Sequence, residues 1–140
     1  MRMRVLTHTN KGKLIAIAND LTKLISADKP TDTIMPAYSC DGERLVIIVA
    51  TAKNNMPDGF ARFVRSIKKS VSANVAFVID GTPENAAKIV EMAKTNNANV
   101  MDDKILYIKG GLPFKFLKSV SAEEKKIVED WVKDILANLA

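Results

Sequence analysis

Runs of apolar residues mark the strands of this chain. The clearest is Leu45–Ala50, in which every residue is apolar, as is typical of a parallel strand covered on both faces. Ala73–Ile79 has a similar character, and Met3–Thr7 and Lys104–Lys109 are shorter β-prone stretches. Thr31–Met35 reads as an edge strand that ends before a proline. The pattern therefore predicts five strands.

Between these strands, apolar residues recur at three- and four-residue steps, the spacing of helices that cover a sheet. The four helical sets are Leu14, Ile17, Ala18, Leu21, Leu24 and Ile25; Phe60, Phe63, Val64, Ile67 and Val71; Ala86, Ala87, Ile89, Val90 and Ala93; and Ile127, Val128, Trp131, Ile135 and Leu139. Thr82 is predicted to cap the third helix, and Ser121 with Glu124 to form a capping box for the fourth. Asp41 and Gly42 predict a turn before the third strand.

The order of these elements is βαββαβαβα, and no linker, repeat or low-complexity stretch interrupts it. Strands that alternate with helices favour a parallel sheet with helices packed on both faces. We therefore expect a single α/β domain over residues 1–140, built as a three-layer α/β/α sandwich.

Composition narrows the class of protein. The chain has 140 residues, 47% hydrophobic and 26% charged, with a formal net charge of +5, which is the profile of a globular domain. Its longest apolar run is far shorter than the roughly 20 residues of a membrane span, and no signal-peptide pattern follows its start. We expect no membrane span and a cytoplasmic location. Basic residues are spread along the chain without an RNA-binding motif, so no nucleic-acid partner is expected.

The chain contains one cysteine, Cys40, and one histidine, His8, which limits its chemistry. One cysteine cannot form an internal disulfide, and one residue of each type leaves little for a structural zinc site. No pattern around His8 supports a Ser-His-Asp or Cys-His hydrolase. We expect no metal site and no serine or cysteine hydrolysis.

Ligands of open parallel sheets bind beyond the carboxyl ends of the strands, where the winding direction reverses and the loops diverge. Three loops are expected to meet there: Thr7–Lys13, Thr51–Gly59 and Asp80–Asn85. The sequence therefore predicts a ligand site formed by these loops.

The first of these loops has the character of a phosphate-binding loop. It consists of Thr7, His8, Thr9, Asn10, Lys11, Gly12 and Lys13. Free backbone amides and the positive end of the helix dipole favour an anion at such a loop, and hydroxyls and lysines strengthen the attraction. It is not a Walker loop, because the glycine and lysine spacing differs. Small polar residues are also what an ordinary strand-to-helix turn requires, so both interpretations stay open from spacing alone.

This loop resembles the phosphate loop of flavodoxins, in which a hydroxyl residue, any residue, Thr, Gly, Asn, Thr, two variable residues, an aliphatic residue and Ala follow one another. The matching positions are Thr7, Thr9, Ile15 and Ala16. The departures are Asn10 in place of Gly, Lys11 in place of Asn, and Gly12 in place of a hydroxyl residue. The resemblance extends over essentially the whole chain in order and length, and it implies a five-stranded parallel sheet of order 2-1-3-4-5.

The resemblance implies flavin mononucleotide (FMN) as cofactor and electron transfer as function. The phosphate would lie on the backbone of Thr9–Lys13, with hydroxyl donors from Thr7 and Thr9. Backbone amides of two further loops would flank the flavin ring. These loops contain Ala52, Lys53, Asn54 and Asn55 on one side and Gly81 and Thr82 on the other. The partner would be a redox protein or a small electron acceptor.

Two alternatives stay open. One is a flavodoxin-like domain that has lost flavin and serves as a binding or interaction module. The other is an FMN-dependent reductase, because Gly110–Lys118 resembles the tail loop of some flavodoxin-like quinone or protoporphyrinogen reductases. We expect the apolar residues of that stretch to pack under the sheet edge rather than form an exposed patch. They are Leu112, Phe114, Phe116 and Leu117.

Overall fold

All the strands form one parallel sheet. The computed structural model describes residues 2–34, 40, 42–70, 72–114, 116 and 119–140. Its strands are β1 (Met3–His8), β2 (Asp32–Thr33), β3 (Leu45–Thr51), β4 (Val75–Asp80) and β5 (Leu106–Tyr107). They are hydrogen-bonded in parallel in the order β2-β1-β3-β4-β5. The expected five-stranded sheet of order 2-1-3-4-5 is therefore confirmed.

Within the described residues, four α-helices connect and cover the strands. They are α1 (Gly12–Leu24), α2 (Asp58–Arg65), α3 (Pro83–Lys94) and α4 (Ala122–Ala137). The hydroxyl of Thr82 caps α3 by accepting the Asn85 amide, and Ser121 and Glu124 form the predicted capping box of α4. Within the part of the chain that the structure describes, none of the helices is long and apolar enough to cross a bilayer.

The core consists of two apolar layers, one on each face of the sheet. Successive side chains of β3 point to opposite faces, so Ile47 packs with residues of α1 and α4 while Ile48 packs with residues of α2 and α3. Both side chains are fully buried. Covering both faces is what makes β3 continuously apolar in sequence, and the expected three-layer arrangement is confirmed.

The ends of several elements differ from their sequence patterns. Helix α2 ends at Arg65, although the buried Ile67 continues its apolar stripe, because the Asn96 side chain donates to the Arg65 carbonyl at 2.6 Å and the chain turns there. Strand β5 is only two residues long and follows a 3₁₀ turn at Asp102–Lys104. Ile127, expected in the core, is exposed.

The short outer strands β2 and β5 are consistent with their having a sheet partner on one side only.

Three residues that the sequence assigned to elements lie outside the described residues: Met35 of the predicted second strand, Asp41 of the predicted turn and Val71 of the predicted second helix.

A buried acid, Glu43, lies at the end of the sheet where strand β3 begins. The Glu43 side chain is fully buried, and neither of its carboxyl oxygens has a hydrogen-bond partner among the described residues. Its charged neighbour is Arg2, whose Nη2 lies 3.7 Å from Oε1. Burial raises the pKa of Glu43, and the negative charge of Asp28 raises it further. The folded state therefore favours the protonated acid.

We expect Glu43→Gln to stabilise the protein by about 1 kcal/mol at pH 8. Because the pKa of Glu43 is higher in the folded state, its contribution to stability is complete below about pH 4 and is lost as the pH rises through the folded-state pKa. Urea unfolding from pH 4 to pH 8 measures the effect. Glu91→Gln, on the exposed side of α3, is the control, and a variant with the pH dependence of the wild type would contradict the assignment.

Candidate functional site

Polar groups converge where the central strands end. Thr51 closes β3 and Asp80 closes β4, and the two residues are paired in register. Side chains alternate along a strand, so both lie on the face that α1 and α4 cover, like the residues two positions earlier. Lys11 reaches this face from the loop between β1 and α1. We call the following residues the strand-end network: Thr9, Lys11, Thr51, Asp80 and Gly110.

The Asp80 carboxylate is the centre of the strand-end network. Its Oδ2 lies 2.6 Å from Lys11 Nζ and accepts a hydrogen bond from the Thr51 hydroxyl at 3.2 Å. Its Oδ1 accepts the Gly110 amide at 3.0 Å. The carboxylate is therefore held by three donors from three different segments of the chain.

The threonine hydroxyls form a directed chain of hydrogen bonds. Because Thr51 donates to Asp80, the Thr9 hydroxyl donates to Thr51, with 2.7 Å between the two oxygens. The Thr9 oxygen in turn accepts the backbone amide of Lys11 at 3.1 Å. Lys11 is thus tied to Asp80 twice, through its ammonium group and through its own amide.

Asp80 is ionised at neutral pH. Burial alone raises the pKa of this carboxyl, but the hydrogen bonds from Lys11 and Gly110 and the positive charge of Lys11 outweigh burial and bring the pKa below its usual value. Hydrogen bonds to the charged form have this effect in general. The site therefore contains a mostly buried ion pair.

The start of α1 is capped from a distant part of the chain. The Gly12 amide donates to the Phe114 carbonyl at 3.1 Å, and no side chain caps the helix. We call residues 110–114 the strap. A Cβ at Gly110 would lie 2.5 Å from Lys11 Cδ and 2.7 Å from Asp80 Oδ2, so a larger residue there would have to displace these side chains. The strap therefore lies directly against the ion pair.

The apolar side chains of the strap and its continuation are exposed. Leu112 is 62% exposed, Phe114 48% and Phe116 75%, and the two phenylalanine rings stack with centroids 5.4 Å apart. The expectation that they pack under the sheet edge was wrong for these three residues, while Leu117 lies outside the described residues. The strap contacts its neighbours through its backbone, since the Gly110 amide donates to Asp80 and the Phe114 carbonyl accepts from Gly12.

The loop after β3 is fastened to its neighbours. The Ala52 amide donates to the Asp80 carbonyl at 2.8 Å, and the Lys53 amide donates to Met56 Sδ at 3.3 Å. Lys88 of α3 donates to Asn54 at both the side-chain and the backbone oxygen. Asn55 is exposed. The backbone amides of Ala52 and Lys53 and both oxygens of Asn54 therefore already have partners within the chain.

The loop after β4 touches the loop after β3. A Cβ at Gly81 would lie 2.9 Å from the Ala52 carbonyl oxygen, so the two loops approach closely there. The Thr82 hydroxyl is engaged as the cap of α3, accepting the Asn85 amide at 3.2 Å.

His8 faces the opposite side of the sheet from the strand-end network. Its ring lies 4.8 Å from that of Phe60 on α2, between ring centroids. Burial lowers the pKa of His8, and the positive charge of Lys53 lowers it further, so the imidazole is neutral at pH 7. The Thr7 hydroxyl donates to the Asp32 carbonyl at 3.4 Å. Neither side chain joins the network.

The structure brings together only part of the predicted loop. Thr9, Lys11 and Gly12 meet at the strand-end network or the strap, Asn10 is exposed, and Lys13 pairs with Glu124 of α4.

Sequence reasoning placed Thr51 and Asp80 at the start of two converging loops but assigned them no role in binding, and it assigned Gly110 and Phe114 no contact with the first loop. A signal for two of them was present, since Thr51 and Asp80 each end a buried apolar run. The strap was singled out only through its resemblance to a reductase tail loop, and no local pattern indicated that it would contact Lys11, Gly12 and Asp80.

The sheet order and the converging loops define a doubly wound α/β protein of flavodoxin-like topology. Comparisons with family models, with curated proteins and with solved structures each return no match for the chain.

We expect Lys11→Met to raise the pKa of Asp80, because burial then acts without its strongest opposing interaction. The ion pair stabilises the fold above about pH 4 and is lost as the pH falls through the lowered pKa, so the variant should lose about 1 kcal/mol at pH 7. Carboxyl ¹³C NMR titration and urea unfolding measure both effects. Lys94→Met, which breaks the remote pair with Asp102, is the control; an unshifted Asp80 titration would refute the network.

Proposed function

We propose that the chain binds FMN at the strand-end network and acts in electron transfer. The observation that carries the proposal is that the fold brings two donors together at the start of α1, the Lys11 ammonium and the Gly12 amide, both oriented toward oxygen acceptors. The Lys11 ammonium holds the Asp80 carboxylate at 2.6 Å, and the Gly12 amide holds the Phe114 carbonyl at 3.1 Å. A phosphate offers oxygens of the same kind to the same donors.

The residues present fit this group in their chemistry. Lys11 and the Gly12 amide would hold the phosphate, with the Thr9 hydroxyl beside them. The other loops would meet the flavin through backbone and amide groups, from Ala52, Lys53, Asn54 and Asn55 on one side and Gly81 and Thr82 on the other. The amides of Ala52 and Lys53 would exchange their present acceptors for the ring. When bound, FMN supplies one- or two-electron chemistry, and the protein binds and orients it.

The net charge of the chain indicates what kind of partner such an electron carrier would have. The formal net charge of +5 favours a redox protein with an acidic surface, or an anionic electron acceptor, because opposite charges steer association. The proposal keeps the cytoplasmic location expected from the sequence.

A flavin-free binding module is the second candidate, and a specific observation favours it. Each cation or amide expected to bind the phosphate already has a partner within the chain: Asp80 for Lys11, Phe114 for Gly12, and Glu124 for Lys13. If these contacts persist in the presence of flavin, the Gly12 amide is not available to the phosphate, and the charge of each lysine is already offset by a carboxylate.

The reductase alternative depends on the exposed ring pair of Phe114 and Phe116 beside the start of α1. Such rings suit a flat apolar substrate. NADPH oxidation by the FMN-loaded protein with a quinone acceptor would distinguish a reductase from a carrier.

Titration of FMN with the protein, followed by quenching of flavin fluorescence, tests the proposal. We expect binding by the wild type and about tenfold weaker binding by Asn10→Asp, since that change adds a carboxylate beside the phosphate without changing side-chain size. Asn19→Asp adds the same charge at an exposed position of α1 and should bind like the wild type. Absence of FMN binding by the wild type would favour the flavin-free module, and equal binding by Asn10→Asp would refute the assigned loop.

A further inference from the structure

The strap and Asp80 occupy the donors that the proposed function assigns to phosphate. Asp80 pairs with Lys11, and the Phe114 carbonyl accepts the Gly12 amide. Gly110 joins these two contacts, since its amide donates to Asp80 and its α-carbon packs against Lys11. The two acceptors are therefore parts of one connected arrangement.

We infer that Asp80 and the strap are an internal competitor of the ligand phosphate, closed in the free protein and displaced when phosphate binds. The inference rests on the proposed function. A phosphate at the Gly12 amide needs the place of the Phe114 carbonyl. A phosphate at Lys11 meets the ionised Asp80 carboxylate, and two anions on one ammonium repel each other. Binding at the Gly12 amide thus requires the Phe114 contact to open, and binding at Lys11 is weakened as long as the Asp80 carboxylate stays beside the ammonium.

The strap is attached in a way that permits this opening. Leu112 is 62% exposed and Phe114 48%, so a large part of both residues is already in contact with solvent in the closed arrangement. Gly111 has a φ of +74°, and nothing lies within 4 Å of the place a Cβ would take, so the middle of the strap is not packed. One backbone hydrogen bond holds the Phe114 end to α1, and a single hydrogen bond is a small barrier.

Asp80 also has partners that remain when Lys11 leaves it. Thr51 and Gly110 both donate to its oxygens. The carboxylate therefore stays hydrogen-bonded after Lys11 turns to the phosphate. Exchange of Lys11 between Asp80 and the ligand is then the step that sets affinity.

Binding of FMN, riboflavin and inorganic phosphate to matched variants tests the inference. We expect Asp80→Asn to bind FMN and phosphate about tenfold more tightly than the wild type, because the amide keeps an acceptor for Gly110 but no charge for Lys11. Riboflavin lacks the phosphate, so its affinity should not change. Asp102→Asn removes the same charge from the remote pair with Lys94 and should leave all three affinities unchanged.

Gly110→Ala is the second variant, in case Asp80→Asn does not fold. Its Cβ would collide with Lys11 Cδ and Asp80 Oδ2, which forces the strap and the ion pair apart while the carboxylate remains. We expect tighter phosphate binding here too. In amide NMR spectra of the wild type, the Gly12 and Gly110 resonances should shift together on addition of phosphate, while Gly42, in the turn before β3, stays unchanged.

The outcomes separate the two proposals. Binding of FMN by the wild type with no tightening in the variants, or without a shift at Gly12 and Gly110, overturns the competitor and leaves the proposed function standing. Tightening for riboflavin as much as for FMN also overturns it, because the effect would then not concern phosphate. No FMN binding by any of these proteins overturns the proposed function and the competitor together.

Discussion

The ion pair between Lys11 and Asp80 is the interaction that holds together the end of the sheet where the central strands finish. It joins residues 69 positions apart and fastens the start of α1 to the end of β4. Thr51 brings in β3, and Gly110 brings in the strap. A mostly buried carboxylate is stable only when its oxygens are satisfied, and here three donors satisfy it. The same contacts that stabilise this end of the sheet also determine which donors are available to a ligand there.

Each end of the sheet holds a buried acid, and the pKa values of these two acids are shifted in opposite directions. Asp80 has three donors and a lowered pKa, whereas neither carboxyl oxygen of Glu43 has a hydrogen bond among the described residues and its pKa is raised. Burial acts against ionisation at both positions, so the difference comes from hydrogen bonding and charge. The two acids consequently give the folded state opposite dependences on pH.

The functional proposal depends on an exchange of partners. The donors that suit a phosphate are oriented by the fold but are held by the chain's own oxygens. Affinity is then a difference between ligand contacts and internal contacts, so a loop that departs from the flavodoxin pattern at Asn10, Lys11 and Gly12 does not by itself decide whether flavin binds. The strap supplies one of these internal contacts, because the carbonyl of the exposed Phe114 accepts the Gly12 amide.

The sequence by itself determined the element order, the three layers and the position of the first loop, because burial on one or both faces leaves a periodic pattern in neighbouring residues. The sheet order was obtained from a family resemblance and is present in the structure. Only the tertiary structure decided that Lys11 meets Asp80, that Phe114 caps α1 and that the strap's apolar side chains stay exposed. These contacts join segments far apart in the chain, and their formation depends on strand register and on the path of one loop, neither of which leaves a periodic signal.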